Sequence, residues 1–400
     1  MDNPHDLHPP RLEPVDEAVL ALIEGQKERL RGYSSDTSPR RWTGSLRRSM
    51  LARAIQGSNS IEGYNVSLDD AMAVVEDEPI VDDRTETSRS IKGNRDALTY
   101  ICQASQDPSF EFSKQFLKSL HFMMLGHDMA KRPGRWRSGP IFVVNSKSSE
   151  TVYTAPDVDM INGLIEELVA YLKEAKDEPP IVRGAMAHLN MTMIHPFKDG
   201  NGRMARALQT LVIALDGTVF PAFCSIEEWL GENTAEYYQV LAFVGKGEWA
   251  PRHSAQPWIR FCLKAHYQQA ETLIRRNEEY EQLYEKITLI ASRLSIGERS
   301  LMSMFDAALG FRVTNQRYKA DADVSEVVAS RDLKRLCEVG VFQPFGEKRG
   351  RYYRATKDLI EARTASRLPR PLSDPYDLVM RREARKNSSQ PDLEPRLPGV

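Results

Sequence analysis

Apolar residues recur at helical spacing along most of this chain, from about Val15 to roughly Leu294. This spacing places apolar side chains on one face of each helix, and such faces must pack against one another. The chain has 400 residues, of which 41% are hydrophobic and 28% charged, so it is long enough to bury a sizeable core. The sequence therefore predicts a mainly α fold built on a helical bundle.

One short region interrupts the helical pattern. Residues 141–144 and 151–154 are rich in β-branched and aromatic residues, and a polar segment from Asn145 to Glu150 separates them. Two such runs around a polar turn are typical of a β-hairpin. A surface loop without a further role is the alternative interpretation of the same residues.

Beyond Glu281 the pattern changes. Two helices and a shorter helix around Val324 to Glu338 precede two short apolar runs, 341–342 and 352–353, which flank the basic segment 346–350. This order predicts a small α/β winged helix-turn-helix domain over residues 281–360. The prolines, serines and charges that follow predict a disordered tail over residues 364–400. The remaining divisions are a flexible N-terminus (1–14), N-terminal helices (15–115) and a central domain (116–270).

Composition argues against several classes of protein. The four cysteines are scattered without a CxxC motif or a Cys/His cluster, which argues against a zinc site and a disulfide framework. The formal net charge of -2 gives no overall attraction to nucleic acid or anionic lipid. The N-terminus lacks an apolar signal core, and no apolar run approaches the roughly 18 residues of a membrane span. We therefore expect a cytoplasmic protein without membrane contact.

The segment from His195 to Arg206 has the composition of a phosphate-binding site. Gly200, Asn201 and Gly202 can turn successive backbone N-H groups towards one point, and the helix that begins near Asn201 adds its positive dipole. Phosphate groups bind at helix N-termini for this reason. The spacing therefore predicts an anion site at the start of this helix.

Charged side chains flank the predicted anion site. Arg203 and Arg206 are three residues apart on one helix, so both guanidiniums can hold phosphate oxygens. Asp199 offers a hard oxygen ligand for Mg²⁺ between two phosphates. His195 precedes a proline, which disfavours helix at that residue, and its ordinary pKa of about 6.5 suits a general base.

The same segment resembles the signature of the Fic family, HPFx[DE]GNGRxxR, and residues 195–206 match every specified position. The resemblance extends over roughly residues 55–264. It implies transfer of AMP from ATP to a Ser, Thr or Tyr hydroxyl of a target protein, with His195 as the base and Asp199 as the ligand of Mg²⁺. It also implies that ATP contacts the residues that follow, which are Gly200, Asn201, Gly202, Arg203, Met204, Ala205 and Arg206.

The resemblance gives a role to the hairpin and to two tyrosines. In the family the hairpin is a flap that pairs with the target segment by strand addition, which implies contacts at Val143, Val144, Asn145 and Ser146. Tyr237 and Tyr238 match family tyrosines near the adenine, although an aromatic pair on a helix is otherwise simply core.

A second segment, far upstream, resembles the inhibitory motif [ST]xxxE[GN] of the same family. Ser58 and Glu62 lie four residues apart, so they share a helical face, and Gly63 can end that helix. The resemblance implies that Glu62 pairs with Arg206 and denies it to the γ-phosphate of ATP. In some relatives the same glutamate positions a water for the removal of AMP. A solvated glutamate near a helix end is the alternative interpretation.

Two classes of function stay open on the sequence alone. The first is a protein adenylyltransferase with a targeting module, whose partners are ATP and a protein with an exposed hydroxyl. The second is a DNA-binding transcriptional regulator in which the Fic activity is secondary. Lys348, Arg349, Arg351 and Arg354 would then lie near DNA phosphates, although winged helices also bind proteins. A homodimer is a further expectation.

Overall fold

The computed structural model describes residues 7–34, 42–78, 85–144, 150–217 and 221–388. The expected helical fold is confirmed, with two small antiparallel sheets within these ranges. Among the residues described, no helix is both long and apolar enough to cross a membrane.

Five helices form the N-terminal part of the chain, and short hydroxyl side chains start several of them. The Ser67, Thr85 and Ser113 side chains each accept a hydrogen bond from the backbone N-H three residues later, which satisfies a donor that the first helical turn leaves free. The helices are α1 (Pro14–Ser34), α2 (Thr43–Ile61), α3 (Leu68–Val75), α4 (Glu86–Ala104) and α5 (Lys114–Leu125).

Six further helices complete the central bundle. Two of them, α7 and α8, pack closely side by side, because Gly184 on α7 has no side chain: a Cβ there would lie 2.9 Å from Cγ1 of Ile213. The helices are α6 (Ile161–Glu174), α7 (Pro180–Ile194), α8 (Asn201–Ala214), α9 (Glu227–Glu232), α10 (Thr234–Gly245) and α11 (Gln256–Arg293).

The predicted hairpin is present between α5 and α6. Strands β1 (Phe142–Val144) and β2 (Thr151–Thr154) pair antiparallel. The Thr154 N-H donates to the Gly247 carbonyl at 2.8 Å, and the Tyr153 hydroxyl donates to the Met193 carbonyl at 2.7 Å. These bonds fix the hairpin against α7 and the end of α10. Asn145 and Ser146 lie outside the described residues.

The C-terminal unit, residues 301–364, has the predicted order of helices and strands plus one additional short strand, β3. The three strands form an antiparallel sheet in the order β3-β5-β4. A winged helix-turn-helix stays a prediction for this unit. Its elements are α12 (Leu301–Ala308), β3 (Val313–Thr314), α13 (Asn315–Ala322), α14 (Glu326–Glu338), β4 (Phe342–Phe345), β5 (Tyr352–Ala355) and α15 (Lys357–Thr364).

Two features of the fold differ from the predicted divisions. Helix α11 runs without a break for 38 residues, across the predicted gap between the central domain at 270 and the next domain at 281. The disordered tail from 364 is wrong as far as Ser388, because helix α16 (Pro375–Ser388) packs on the bundle. Val379 is buried there and the Tyr376 hydroxyl donates to Asp16 at 3.0 Å, contacts that local polarity does not reveal.

Candidate active site

The histidine of the central motif lies where α7 ends. His195 adopts a left-handed conformation, with φ 50° and ψ 56°, so the chain turns out of the helix at this residue. Arg137 holds the turn, because its Nε donates to the His195 carbonyl at 2.9 Å and its backbone N-H donates to the Pro196 carbonyl at 2.8 Å. Sequence reasoning missed Arg137, which lies 58 residues upstream.

Hydrogen bonding decides which nitrogen of His195 is basic. Its Nδ1 lies 3.1 Å from the Thr192 carbonyl, which can only accept, so Nδ1 carries the hydrogen. The Nε2 atom is therefore the one that can take up a proton. Burial lowers the pKa of His195 below its ordinary value, although the bond to Thr192 opposes this. The ring is consequently neutral at neutral pH.

The loop between the two helices rests on a buried aromatic stack. Phe197 is fully buried and lies 3.7 Å, centroid to centroid, from the ring of His121 on α5. His121 accepts the Gly134 N-H at Nδ1 and donates from Nε2 to the Asp199 carbonyl, each at 2.9 Å. The side-chain amide of Asn201 bonds both the N-H and the carbonyl of Phe197 at 2.9 Å. These contacts fix the backbone that presents Asp199 and Gly200.

Both glycines of the motif lie close to neighbouring side chains, and Gly200 also has a left-handed conformation. Gly200 has φ 78°, and a Cβ on it would lie 2.6 Å from Cδ1 of Leu125. A Cβ on Gly202 would lie 2.8 Å from Oε1 of Glu62. The Gly200 N-H is engaged by the Asp199 carboxylate at 2.6 Å, so the anion site is formed by the N-H groups of the first turn of α8.

The two arginines of α8 are both buried, and each has a partner upstream. Arg203 donates from Nη1 to the Ser90 hydroxyl on α4 at 2.8 Å. Arg206 donates from Nη2 to Glu62 Oε1 at 2.7 Å and from Nε to the Ser58 hydroxyl at 3.1 Å. Burial alone would lower the pKa of Arg206, but Glu62, Tyr237 and Glu227 together raise the pKa overall. Met204 and Ala205 are buried.

The predicted inhibitory segment reaches the site from α2. That helix ends at Ile61, Glu62 follows as its cap, and Gly63 leaves the helix with φ 84°. Ser58 is buried, whereas the Glu62 side chain is 22% exposed. The structure therefore brings Ser58 and Glu62 onto Arg206, 148 and 144 residues away in sequence.

A second buried carboxylate lies behind the Glu62–Arg206 pair. Glu227 is 1% exposed, interacts with the Ser58 hydroxyl and lies within the electrostatic reach of Arg206. Burial raises its pKa, and the charge of Arg206 opposes the rise. Sequence reasoning missed Glu227, because nothing in its local pattern distinguishes it from a solvated residue at a helix start.

The residues around Asp199 fit a magnesium ion held largely by phosphates. Burial raises the pKa of Asp199, but a hydrogen bond and the positive charge of Lys131, 3.1 Å away, lower it overall, so the carboxylate is ionised. Among the described residues no group of three or more His, Cys, Asp or Glu side chains could hold a metal. Mg²⁺ commonly takes one or two carboxylates, with water and substrate phosphates as its other ligands, so a single aspartate suffices.

The two tyrosines of α10 differ in exposure. Tyr238 is 50% exposed and its hydroxyl donates to the Ile61 carbonyl at 3.2 Å, so a contact with adenine stays a prediction for this residue. Tyr237 is 1% exposed, and its hydroxyl lies 2.9 Å from Nε2 of the buried His188. Such burial does not fit a direct contact with adenine.

The strand β1 presents an exposed edge beside the site. Val144 is 55% exposed and Val143 is partly buried, and β1 pairs only with β2 within the described residues. An unpaired strand edge can accept a further strand. Pairing with a target segment therefore stays a prediction for this edge.

Fold and site together define a helical protein that offers an anion site at a helix N-terminus beside a neutral histidine. Residues 111–213 match the family model described as the Fic/DOC family. The matched stretch includes the motif at residues 195–206 and the helices α7 and α8 that present it.

Relatives of known name match a larger share of the chain. The chain is 26% identical over 261 residues to the protein adenylyltransferase Fic of Nematostella vectensis, a match that covers 64% of this chain and 55% of that protein. It is 24% identical over 258 residues to the protein adenylyltransferase fic-1 of Caenorhabditis elegans, with 64% and 46% covered. The chain spans about half the length of the curated relatives it matches.

Solved structures share the fold. A Fic family protein from Desulfovibrio desulfuricans matches with a TM-score of 0.56 and 21% identity, over 87% of this chain and 98% of that one. A fragment of Fic-1 from Caenorhabditis elegans matches with a TM-score of 0.52 and 20% identity, over 65% and 72%. At these identities the likeness concerns the fold.

Proposed function

We propose that this protein is a protein adenylyltransferase that moves AMP from ATP to a Ser, Thr or Tyr hydroxyl of a target protein. The observation that carries the proposal is the pairing of Arg206 with Glu62 at 2.7 Å, directly beside the first turn of α8 and the motif that contains His195. A phosphate site whose arginine is held by a removable carboxylate is suited to a restrained nucleotide reaction. The names of the relatives support the same activity.

The residues of the site would act on the hydroxyl and on the nucleotide as follows. His195 Nε2 accepts the hydroxyl proton while the hydroxyl oxygen forms a bond to the α-phosphorus of ATP, and the bond to the β-phosphate oxygen breaks to release pyrophosphate. The N-H groups at the start of α8 and the Arg206 guanidinium stabilise the phosphate charge. Mg²⁺ held by Asp199, when bound, would neutralise charge on the α- and β-phosphates.

Glu62 would restrain this reaction by occupying the guanidinium that the γ-phosphate requires. Arg206 has its Nη2 bonded to Glu62 and to the Ser58 carbonyl, the latter at 3.1 Å. With that nitrogen occupied, ATP would bind in a pose unsuited to in-line attack. Removal of AMP by a water held at Glu62 is a further reaction of the same arrangement.

Incubation with labelled ATP and Mg²⁺ tests the proposal. We expect Glu62→Gly to label itself more strongly than the wild type, and His195→Ala in the Glu62→Gly background to abolish labelling. Equal labelling of the wild type and Glu62→Gly would refute the restraint. Persistent labelling in the His195→Ala double variant would refute the role of the base. Loss of label after ATP is removed, measured in the wild type and in Glu62→Gly, tests the removal of AMP.

DNA binding by the C-terminal unit is a second candidate function. The outer side of α14 is open, since Val327 is 79% exposed and the Arg331 and Lys334 side chains are 69% and 79% exposed. Helix α14 corresponds to the recognition helix of a winged helix-turn-helix. The wing residue Arg354, in contrast, donates to Asp69 on α3 at 2.9 Å.

A gel-shift series tests this candidate. Binding to duplex DNA should weaken with rising salt and weaken again in Lys334→Ala, because phosphate contacts release counterions. An affinity that does not respond to Lys334→Ala would argue against α14 as the contact. The side chain of Arg349 lies outside the described residues.

A further inference from the structure

A chain of buried polar side chains connects Arg206 with the far side of the bundle. The Tyr237 hydroxyl interacts with the Arg206 guanidinium and lies 2.9 Å from His188 Nε2. His188 Nδ1 lies 2.6 Å from Gln209 Oε1, and Gln209 Nε2 lies 3.0 Å from His266 Nε2. The tyrosine, the first histidine, the glutamine and the second histidine belong to α10, α7, α8 and α11 respectively.

The guanidinium sets the direction of every hydrogen in this chain. Arginine can only donate, so the Tyr237 oxygen accepts from Arg206 and its own hydrogen goes to His188 Nε2. His188 must then carry its hydrogen on Nδ1 and donate to Gln209, whose amide nitrogen donates to His266. All donors therefore point away from Arg206, an arrangement in which each bond strengthens the next.

Burial keeps these hydrogen bonds in this one direction. Tyr237 and Gln209 are each 1% exposed and His188 is fully buried. Burial lowers the pKa of His188 and of His266 to about 3, so both rings stay neutral at physiological pH. A neutral ring offers the acceptor nitrogen that each donor requires.

We infer that Tyr237 is a positioning residue for Arg206 and that His188, Gln209 and His266 hold Tyr237 in that role. The inference rests on the proposed function, in which Arg206 contacts the γ-phosphate of ATP. When Glu62 leaves, Arg206 loses one of its partners, whereas Tyr237 and Ser58 remain in place. The guanidinium is thereby already oriented when the nucleotide arrives, and binding does not have to order it.

Nucleotide binding in the Glu62→Gly background tests the inference. Isothermal titration calorimetry with ATP and separately with ADP compares Tyr237→Phe with the unmodified Glu62→Gly protein. We expect ATP to bind roughly tenfold more weakly to Tyr237→Phe, because a hydrogen bond to a charged group is lost. ADP should bind with unchanged affinity, since it lacks the γ-phosphate.

A control matched to Tyr237→Phe removes a buried tyrosine hydroxyl away from the site. Tyr318 in the C-terminal unit is fully buried, and its hydroxyl lies 2.7 Å from that of Ser300. Tyr318→Phe should leave the affinities for both nucleotides unchanged. Equal weakening of ATP and ADP by Tyr237→Phe, or no weakening of ATP, would overturn the inference.

A second variant keeps the test decisive if Tyr237→Phe folds poorly. Gln209→Met preserves side-chain volume and removes the amide two links away from Arg206, so it should weaken ATP binding about threefold and spare ADP. An unchanged ATP affinity in Gln209→Met would then contradict the inference that these hydrogen-bonded side chains hold Tyr237 in place. AMP transfer is measured separately: its absence in Glu62→Gly refutes the proposed function, while the comparison of ATP with ADP still decides the inference.

Discussion

Two buried arginines, one in the site and one in the C-terminal unit, are each paired with a carboxylate at 2.7 Å, but their partners differ in exposure. The Arg206 side chain is 1% exposed and Glu62 is 22% exposed, whereas Arg317 and Asp306 are 2% and 1% exposed. A carboxylate that already touches water loses little when it moves away. One that is fully buried has no such alternative.

The surroundings of Arg317 strengthen this contrast. Two further carboxylates, Glu76 and Asp321, each lie 3.8 Å from its guanidinium. Burial raises the pKa of Asp321 to about 6. Arg317 thus ties α12 and α13 of the C-terminal unit to Glu76 at the end of α3. In the proposed function, by contrast, a phosphate would replace the carboxylate partner of Arg206.

The largest effect is expected on stability, when the buried ion pair of Arg317 with Asp306 is broken. Replacing Arg317 by Met removes the nearest cation of the buried Asp306 and leaves Arg48, 3.4 Å away, as its remaining ion-pair partner. The free energy of unfolding should therefore fall by about 3–5 kcal/mol. Denaturation in urea measures this change. Arg331→Met, at a side chain that is 69% exposed, should change it by less than about 0.5 kcal/mol. A loss below about 1 kcal/mol in Arg317→Met would remove the contrast between the two arginines.

Loss of the Glu62–Arg206 ion pair should affect activity more than stability. Glu62→Gln keeps the side-chain volume and removes the charge that holds Arg206, so self-labelling with ATP should rise roughly tenfold, about 1.4 kcal/mol. The free energy of unfolding should change by about 1 kcal/mol or less. Glu338→Gln on α14 is the control and should leave labelling unchanged. A Glu62→Gln protein that unfolds as readily as Arg317→Met would show that both pairs are structural.

The ion pair between Lys131 and Asp199 is more exposed than the two arginine pairs, so its loss should have a smaller effect. Lys131 and Asp199 are 20% and 38% exposed, and the ammonium would compete with the proposed Mg²⁺ for the carboxylate. In Lys131→Met the Mg²⁺ concentration that gives half-maximal ATP binding should fall about threefold. Lys173→Met, whose partner Glu111 lies at the same 3.1 Å, should have no effect. A rise in the required Mg²⁺ would mean that Lys131 supports the metal site.

The smallest effect concerns pH. A base must be unprotonated to act, and burial lowers the pKa of His195, so protonation and loss of rate move to lower pH. The Glu62 charge raises the pKa of His195, so Glu62→Gln should lower it further. Labelling by Glu62→Gln should stay near its maximum from pH 8 to 6.5, where an ordinary histidine would lose about half. A midpoint at or above 6.5 would contradict the effect of burial.

Twelve contiguous residues contain most of what the sequence could reveal about the site. The end of a helix at His195, a left-handed glycine at 200 and a helix that starts at Asn201 depend on local conformation, so residue types and spacing indicate them. The family resemblance added the segment at Glu62, which no local argument connects with Arg206.

The supporting residues could not be predicted, because they depend on packing between distant helices. His121, Arg137, Glu227 and His188 have no local pattern that distinguishes them from ordinary helix or loop residues. Helix α16 was missed for a related reason: its apolar residues are few, and they become buried only because α1 and α11 offer a surface. The composition of such a segment reflects its many exposed polar residues and does not reveal the few apolar residues that pack on other helices.

Helix α11 joins the central bundle to the C-terminal unit. Its 38 residues extend over about 57 Å, with Trp258 buried in the bundle near one end and Ala291 buried near the other. A partner bound by the C-terminal unit would therefore stand at a set distance from His195. In the proposed reaction, this fixed distance would select acceptor hydroxyls by where they lie on the partner, in addition to what surrounds them.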